Sequence, residues 1–136
     1  MVYTGGTFDI LHIGHILFLQ KCNELGDVVV ALNTDDFIER YKGKKPIFRY
    51  EERMKHLLDS GLVKKVIPNE QAEDSKPTIL NVKPDVIVIG SDWATKDYYK
   101  QMNFTQDWLD DNDIALMYVP YYKYISSSVI KKRCSQ

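Results

Sequence analysis

The chain has 136 residues, 44% hydrophobic and 27% charged, which allows one domain with a real core and excludes a disordered composition. A formal net charge of −1 and a pI near 6.3 exclude a generic polyanion-binding surface; basic charge gathers only at Lys42 to Lys45 and Lys131 to Arg133, so no nucleic-acid partner is expected. Met1 runs straight into a strand, no membrane-spanning run appears, and Cys22 and Cys134 stand far apart, so the expectation is a cytoplasmic protein without a membrane partner, disulfide or cysteine metal site.

In chain order, Val2-Tyr3-Thr4 is a β-branched and aromatic run that stops at Gly5-Gly6. Thr7-Phe8-Asp9 leads into His12-Ile13-Gly14-His15, and an apolar, helix-like segment follows from Ile16 to Leu25. This pattern predicts a strand, a tight glycine turn and the start of a helix. A helix start carries unpaired backbone N–H groups and partial positive charge, which suit a phosphate. His12 and His15, three apart, fall on neighbouring positions of one helical face and can converge on one bound group. The strand is followed neither by G-x-G-x-x-G nor by G-x-x-x-x-G-K-[ST]; imidazoles stand where those motifs put glycine or lysine.

Asp27 to Asn33 is a continuous apolar run, predicted as a strand buried on both faces. Asp35 to Tyr41 reads as a short helix, and Tyr41 to Pro46 as a basic loop interrupted by Gly43. Arg49 to Ser60 has helical spacing, with Met54, Leu57 and Leu58 on the apolar face and Arg53 near the start. Lys65 to Pro68 is a predicted strand, Asn69 to Ser75 a loop, and Pro77 to Val82 a helix with proline at an early position. Asp85 to Gly90 and Ile114 to Val119 are the last two strands, with a helix at Thr105 to Asp111 between them and another at Ser126 to Arg133. This alternation predicts a Rossmann-like, doubly wound α/β fold as one domain over residues 1–136, with a five-stranded, mostly parallel sheet and helices on both faces. In such sheets ligands bind beyond the carboxyl ends of the strands.

Gly6-Thr7-Phe8-Asp9 followed by His12-Ile13-Gly14-His15 resembles the signature of the HxGH nucleotidyltransferases. Further blocks extend the likeness to the small cytidylyltransferases of the glycerol-3-phosphate type: Asn33 to Phe37, Arg49 to Arg53, Gly90-Ser91-Asp92-Trp93, and Ile125-Ser126-Ser127-Ser128. The resemblance implies attack by an acceptor phosphate on the α-phosphate of CTP, with Mg²⁺ bridging the phosphates and no covalent intermediate. In that scheme His12, His15 and Lys44 are catalytic, with Lys42 and Lys45 as alternatives to Lys44 in the same loop. Gly5, Gly6, Thr7, Phe8, Gly14, Gly90, Asp92, Trp93, Ile125, Ser126, Ser127 and Ser128 line the nucleotide. Arg53 and Lys123 face the acceptor or phosphates. Asp9 joins them, with a metal ligand or a local turn as alternative roles. The resemblance also implies a homodimer.

Two positions depart from the pattern. Tyr121 to Tyr124 stands where a basic residue precedes the I-S-T-T block, and Gly61 stands where a second arginine follows Arg53. Both fall where phosphate or acceptor is handled, which keeps a different acceptor open. An adenylyltransferase with a sugar phosphate, flavin or pantetheine acceptor and a silent nucleotide-binding module are the competing readings.

Overall fold

The computed structural model describes residues 1–70, 75–90 and 104–119, without the side chains of Tyr41 and Lys42. The elements are β1 (Val2–Gly6), α1 (Ile13–Leu25), β2 (Val28–Asn33), α2 (Asp35–Lys42), α3 (Tyr50–Asp59), β3 (Lys65–Asn69), α4 (Lys76–Val82), β4 (Val86–Gly90), α5 (Gln106–Asp111) and β5 (Ala115–Val119). The five strands form one sheet in the order β3-β2-β1-β4-β5. Every pair is parallel, so the sheet is more uniform than the mostly parallel one expected.

Strand alternation sorts the core into two layers, because successive side chains point to opposite faces of a sheet. Val2, Val30, Leu32 and Val88 pack with Phe18, Leu19 and Cys22 of α1 and Leu57 of α3. Tyr3, Ala31, Ile87 and Ile89 pack on the other face with Ile79 of α4, Leu109 of α5 and Ile114. Helices therefore cover both faces. The reversal of strand order falls between β1 and its neighbours β2 and β4, so the chain leaves the carboxyl end of β1 at the switch point.

Three boundaries differ from expectation. β1 continues through Gly5 and Gly6, which pair with Ala31 and Leu32, so the turn comes after the glycines. α1 opens at Ile13, three residues before the apolar run, because His12 supplies its N-cap. β3 runs one residue past its expected end, to Asn69, which pairs with Asn33, and its Pro68 lies opposite Leu32. Proline lacks the amide a central strand needs, and β3 is at the sheet edge, where that loss is tolerated. The expected last helix at Ser126 to Arg133 lies outside the described residues, as does Cys134. Cys22 is fully buried, and burial pushes its thiol up to about 12, as suits a packing residue. No helix among the described residues is long and apolar enough to cross a membrane.

Leu19 has no exposed surface and sits in the layer between α1 and the sheet. Leu19→Ala is expected to cost roughly 2–5 kcal/mol, read as a lower urea midpoint with an unchanged slope.

Candidate active site at the carboxyl end of the first strand

The start of α1 is capped by imidazole rather than by a hydroxyl or carboxylate. His12 has extended backbone, and its Nδ1 accepts from the Gly14 N–H at 3.0 Å. His15 Nδ1 in turn accepts from the His12 N–H at 3.3 Å. This is a capping box built from two histidines, and it stacks their rings with centroids 3.9 Å apart. The histidines thus converge, although His12 is the cap and not a residue of the helix face. The Gly14 amide is committed to His12, so it is not one of the free helix-start donors anticipated for phosphate.

The cap fixes the tautomer. A neutral imidazole carries one proton, and with Nδ1 accepting in both rings that proton belongs on Nε2. His12 Nε2 is buried and has no hydrogen-bond partner among the described residues. A buried donor without an acceptor is costly and rare, and it marks a place where a ligand oxygen fits. Burial lowers the pKa of His12. It lowers that of His15 to about 3, with the neighbouring His12 charge adding to the effect and a backbone hydrogen bond with Ile10 opposing it. Burial thus favours the neutral form of both rings, and an anion at His12 Nε2 would raise their affinity for protons.

Phe8 supports this pair from below. It has φ of 47°, an uncommon conformation for a bulky residue, and its buried ring lies 5.1 Å from the His15 ring. The ring also crosses Gly6 closely: a Cβ there would meet Phe8 Cε2 at 2.8 Å. Gly6 is glycine for that reason. Gly5 has no such crowding, since a Cβ would sit in ordinary contact with the Ala31 carbonyl at 3.5 Å.

Asp9 and Arg53 tie the basic loop to this turn. The Asp9 carboxylate, buried, accepts from the Ile47 and Phe48 amides, each at 2.9 Å. These partners lie nearly forty residues away, so the Asp9 bonds are long-range rather than those of a local turn. Arg53 is fully buried. Its Nε donates to Phe48 O at 3.0 Å, Nη1 to Thr7 O at 2.9 Å and to Asn33 O at 2.8 Å, and Nη2 to Asp35 Oδ1 at 2.6 Å. Four of five guanidinium N–H groups are thereby committed to protein oxygens. The geometry makes Asp9 and Arg53 supports of the site, and Arg53 offers no exposed surface to an acceptor. Lys44 and Lys45 are exposed in the loop that this clamp anchors, between Gly43, the left-handed C-cap of α2, and Pro46.

Beside the clamp lies an open cleft of about 290 Å³, lined by Thr34, Asp35, Asp36, Tyr50, Glu51, Pro68 and Glu70. Its four carboxylates suit a donor-rich or cationic group rather than phosphate. Five of its lining residues fall in the blocks Asn33 to Phe37 and Arg49 to Arg53, at positions expected to have no binding role of their own. Asn33, from the first of those blocks, bonds to Thr7, and Asn69, expected only as the start of a loop, bonds to Asn33. Asp92, Trp93, Lys123, Ile125, Ser126, Ser127 and Ser128 lie outside the described residues, and Gly90 is the last residue of β4.

The lowered His15 pKa has a consequence for stability. Between its ordinary value of 6.5 and about 3, the unfolded chain binds a proton there that the folded chain does not. Stability from this group is present above pH 6.5 and falls as pH drops, by at most about 1.4 kcal/mol per unit. Urea unfolding at pH 7 and pH 4.5 is expected to show a larger acid-induced loss for the wild type than for His15→Asn.

This arrangement has relatives. Glycerol-3-phosphate cytidylyltransferase of Bacillus subtilis is 38% identical over 132 residues, covering 96% of this chain and 94% of that one. FAD synthase of Pyrococcus abyssi is 42% identical over 92 residues, 67% of this chain and 62% of its own length. A lipopolysaccharide core biosynthesis protein from Thermoplasma volcanium superposes with a TM-score of 0.70 at 31% identity, over 91% of this chain and 97% of that one. The family model described as Cytidylyltransferase-like matches residues 3–133, which takes in the histidine cap, the clamp and, but for Val2, all five strands. The chain belongs to the cytidylyltransferase-like family, within the nucleotidyltransferase superfamily.

Proposed function

We propose that the protein transfers a cytidylyl group from CTP to a phosphorylated alcohol such as glycerol 3-phosphate, with release of pyrophosphate. The observation that carries the transfer chemistry is the buried, unpartnered Nε2 of His12 beside the His15 ring at the end of β1. The end-to-end likeness to the Bacillus subtilis enzyme supports the choice of CTP and acceptor.

In this reading an oxygen of the acceptor phosphate attacks the α-phosphorus of CTP. The new P–O bond forms as the α–β bridging P–O bond breaks, and the electron pair leaves on pyrophosphate. The protein needs no nucleophile of its own; it must orient the groups and answer the developing charge. His12 does so as a neutral donor fixed in one tautomer, so it needs no reorganisation during the step, and His15, stacked on it and bonded to its N–H, holds that donor in place. The Thr7 hydroxyl holds a phosphate oxygen, and Lys44 contributes a point charge from its loop. Asp92, Trp93, Lys123 and the segment Ile125 to Ser128 take the roles the family pattern gives them. Among the described residues no group of three or more His, Cys, Asp or Glu is placed to hold a metal ion. Both Asp9 oxygens accept backbone amides. In this reading a Mg²⁺ held mainly by the phosphates would neutralise part of their charge. The functional unit in this reading is a homodimer.

The alternative is adenylyl transfer, supported by the FAD synthase likeness over two thirds of the chain. Calorimetric titration with Mg²⁺ present separates the two: CTP is expected to bind and ATP to bind weakly, with pyrophosphate released on adding glycerol 3-phosphate. Preference for ATP would overturn the cytidylyl reading. His12→Asn provides a second test, since asparagine is a good N-cap but has no Nε2. It is expected to keep the unfolding temperature within a few degrees while lowering kcat by roughly 10²–10³, the usual loss for one charge-stabilising donor. Wild-type kcat in that variant would remove His12 from the mechanism.

A further inference from the structure

The carboxyl edge of the sheet carries a row of three polar side chains from three adjacent strands. Asn33 ends β2 and Asn69 ends β3, and the two are register partners. Thr7 follows β1 directly, one step past the Gly6–Leu32 pair. Asn69 Nδ2 donates to Asn33 Oδ1 at 2.9 Å, and Asn33 Nδ2 donates to Thr7 Oγ1 at 3.0 Å. The bonds run in one direction, from β3 toward the histidine site. A carboxamide at each link spends its N–H on the next acceptor, and the chain ends on a hydroxyl. That hydroxyl has a single proton, and its oxygen already accepts from Asn33, so the proton is left to donate outward. Hydrogen bonds in such a row polarise one another and strengthen that donation.

A second set of bonds fixes the same two residues through the backbone. Arg53 Nη1 donates to the carbonyl oxygens of both Thr7 and Asn33, at 2.9 and 2.8 Å. Thr7 is thus held by its main chain from one side and by its hydroxyl from the other. At the far end of the row Asn69 Oδ1 is buried with no partner among the described residues.

We propose that Asn33, oriented by Asn69, is a positioning residue for phosphate binding: it sets the Thr7 hydroxyl as a donor toward the triphosphate. The proposal rests on the reading of this site as a nucleoside triphosphate site. Asn33 does not touch the phosphate; it acts through Thr7.

The test is a double-mutant cycle with Thr7→Val and Asn33→Ala, using inorganic tripolyphosphate and CTP as probes in calorimetry. Thr7→Val keeps the shape of the side chain and removes the hydroxyl. Each single variant is expected to weaken tripolyphosphate binding by roughly 5- to 20-fold, and the double variant by no more than Thr7→Val alone. In turnover, Asn33→Ala raises KM for the triphosphate and leaves KM for the acceptor unchanged. Asn69→Ala, which spares the Asn33–Thr7 bond, gives a smaller loss of the same kind and covers the case in which Asn33→Ala folds poorly. Additive losses in the cycle, or an Asn33→Ala effect seen only as a lower unfolding temperature, would overturn the positioning role. Wild-type protein that binds tripolyphosphate without releasing pyrophosphate from any nucleotide would overturn the transferase reading alone, and the cycle would still decide the role of Asn33. Failure of the wild type to bind either probe overturns both.

Discussion

A guanidinium without solvent contact holds the carboxyl edge of this sheet together. Arg53 gathers the main-chain oxygens of Thr7, Asn33 and Phe48 and the carboxylate of Asp35. Those acceptors belong to the ends of β1 and β2, the start of α2 and the approach to α3. Burying a charge costs several kcal/mol unless partners replace its hydration, and here the replacement is made by the segments that build the site. The site is therefore stable only as an assembly. Asp9 extends the same logic by seizing the two amides that precede Arg49, so the basic loop starts and ends on fixed points.

The charge economy of the site follows from this arrangement. The Arg53 charge is consumed structurally, and burial lowers the proton affinity of the two histidines. In the proposed reaction, attraction of a triphosphate would fall to the exposed loop lysines, acting at a distance, while a short contact would come from a neutral donor of fixed direction.

Much of the fold can be read from the chain because parallel strands buried on both faces are continuous apolar runs. Val28 to Asn33 and Val86 to Gly90 show this directly, and Gly43 marks the end of α2. The His12 to His15 spacing likewise predicts that the two imidazoles converge, as their stacked rings do. Other features resist a linear reading for physical reasons. The early start of α1 depends on an imidazole acting as N-cap, a role that composition rules assign to Ser, Thr, Asp or Asn. Arg53 and Asp9 carry charge and resemble ligand contacts in sequence; their commitment to protein oxygens and amides emerges only when segments some forty residues apart are brought together. The Asn33–Asn69 bond depends on the register of β2 with β3, which no local pattern encodes.

Pro68 has a consequence for how copies of this protein meet. An edge strand exposes a row of amides and carbonyls that another chain can extend, and proline lacks one of those amides. With Pro68 fourth of the five residues of β3, a second molecule approaching this border finds an incomplete ladder beside the exposed Lys65 and the Lys64–Asp27 ion pair. The opposite border, β5, has no proline between Ala115 and Val119 and leaves Met117 and Tyr118 partly open to solvent. The sheet is thus protected asymmetrically against edge-to-edge aggregation: one border is closed to templated growth by covalent chemistry, and the other carries no such block in its backbone.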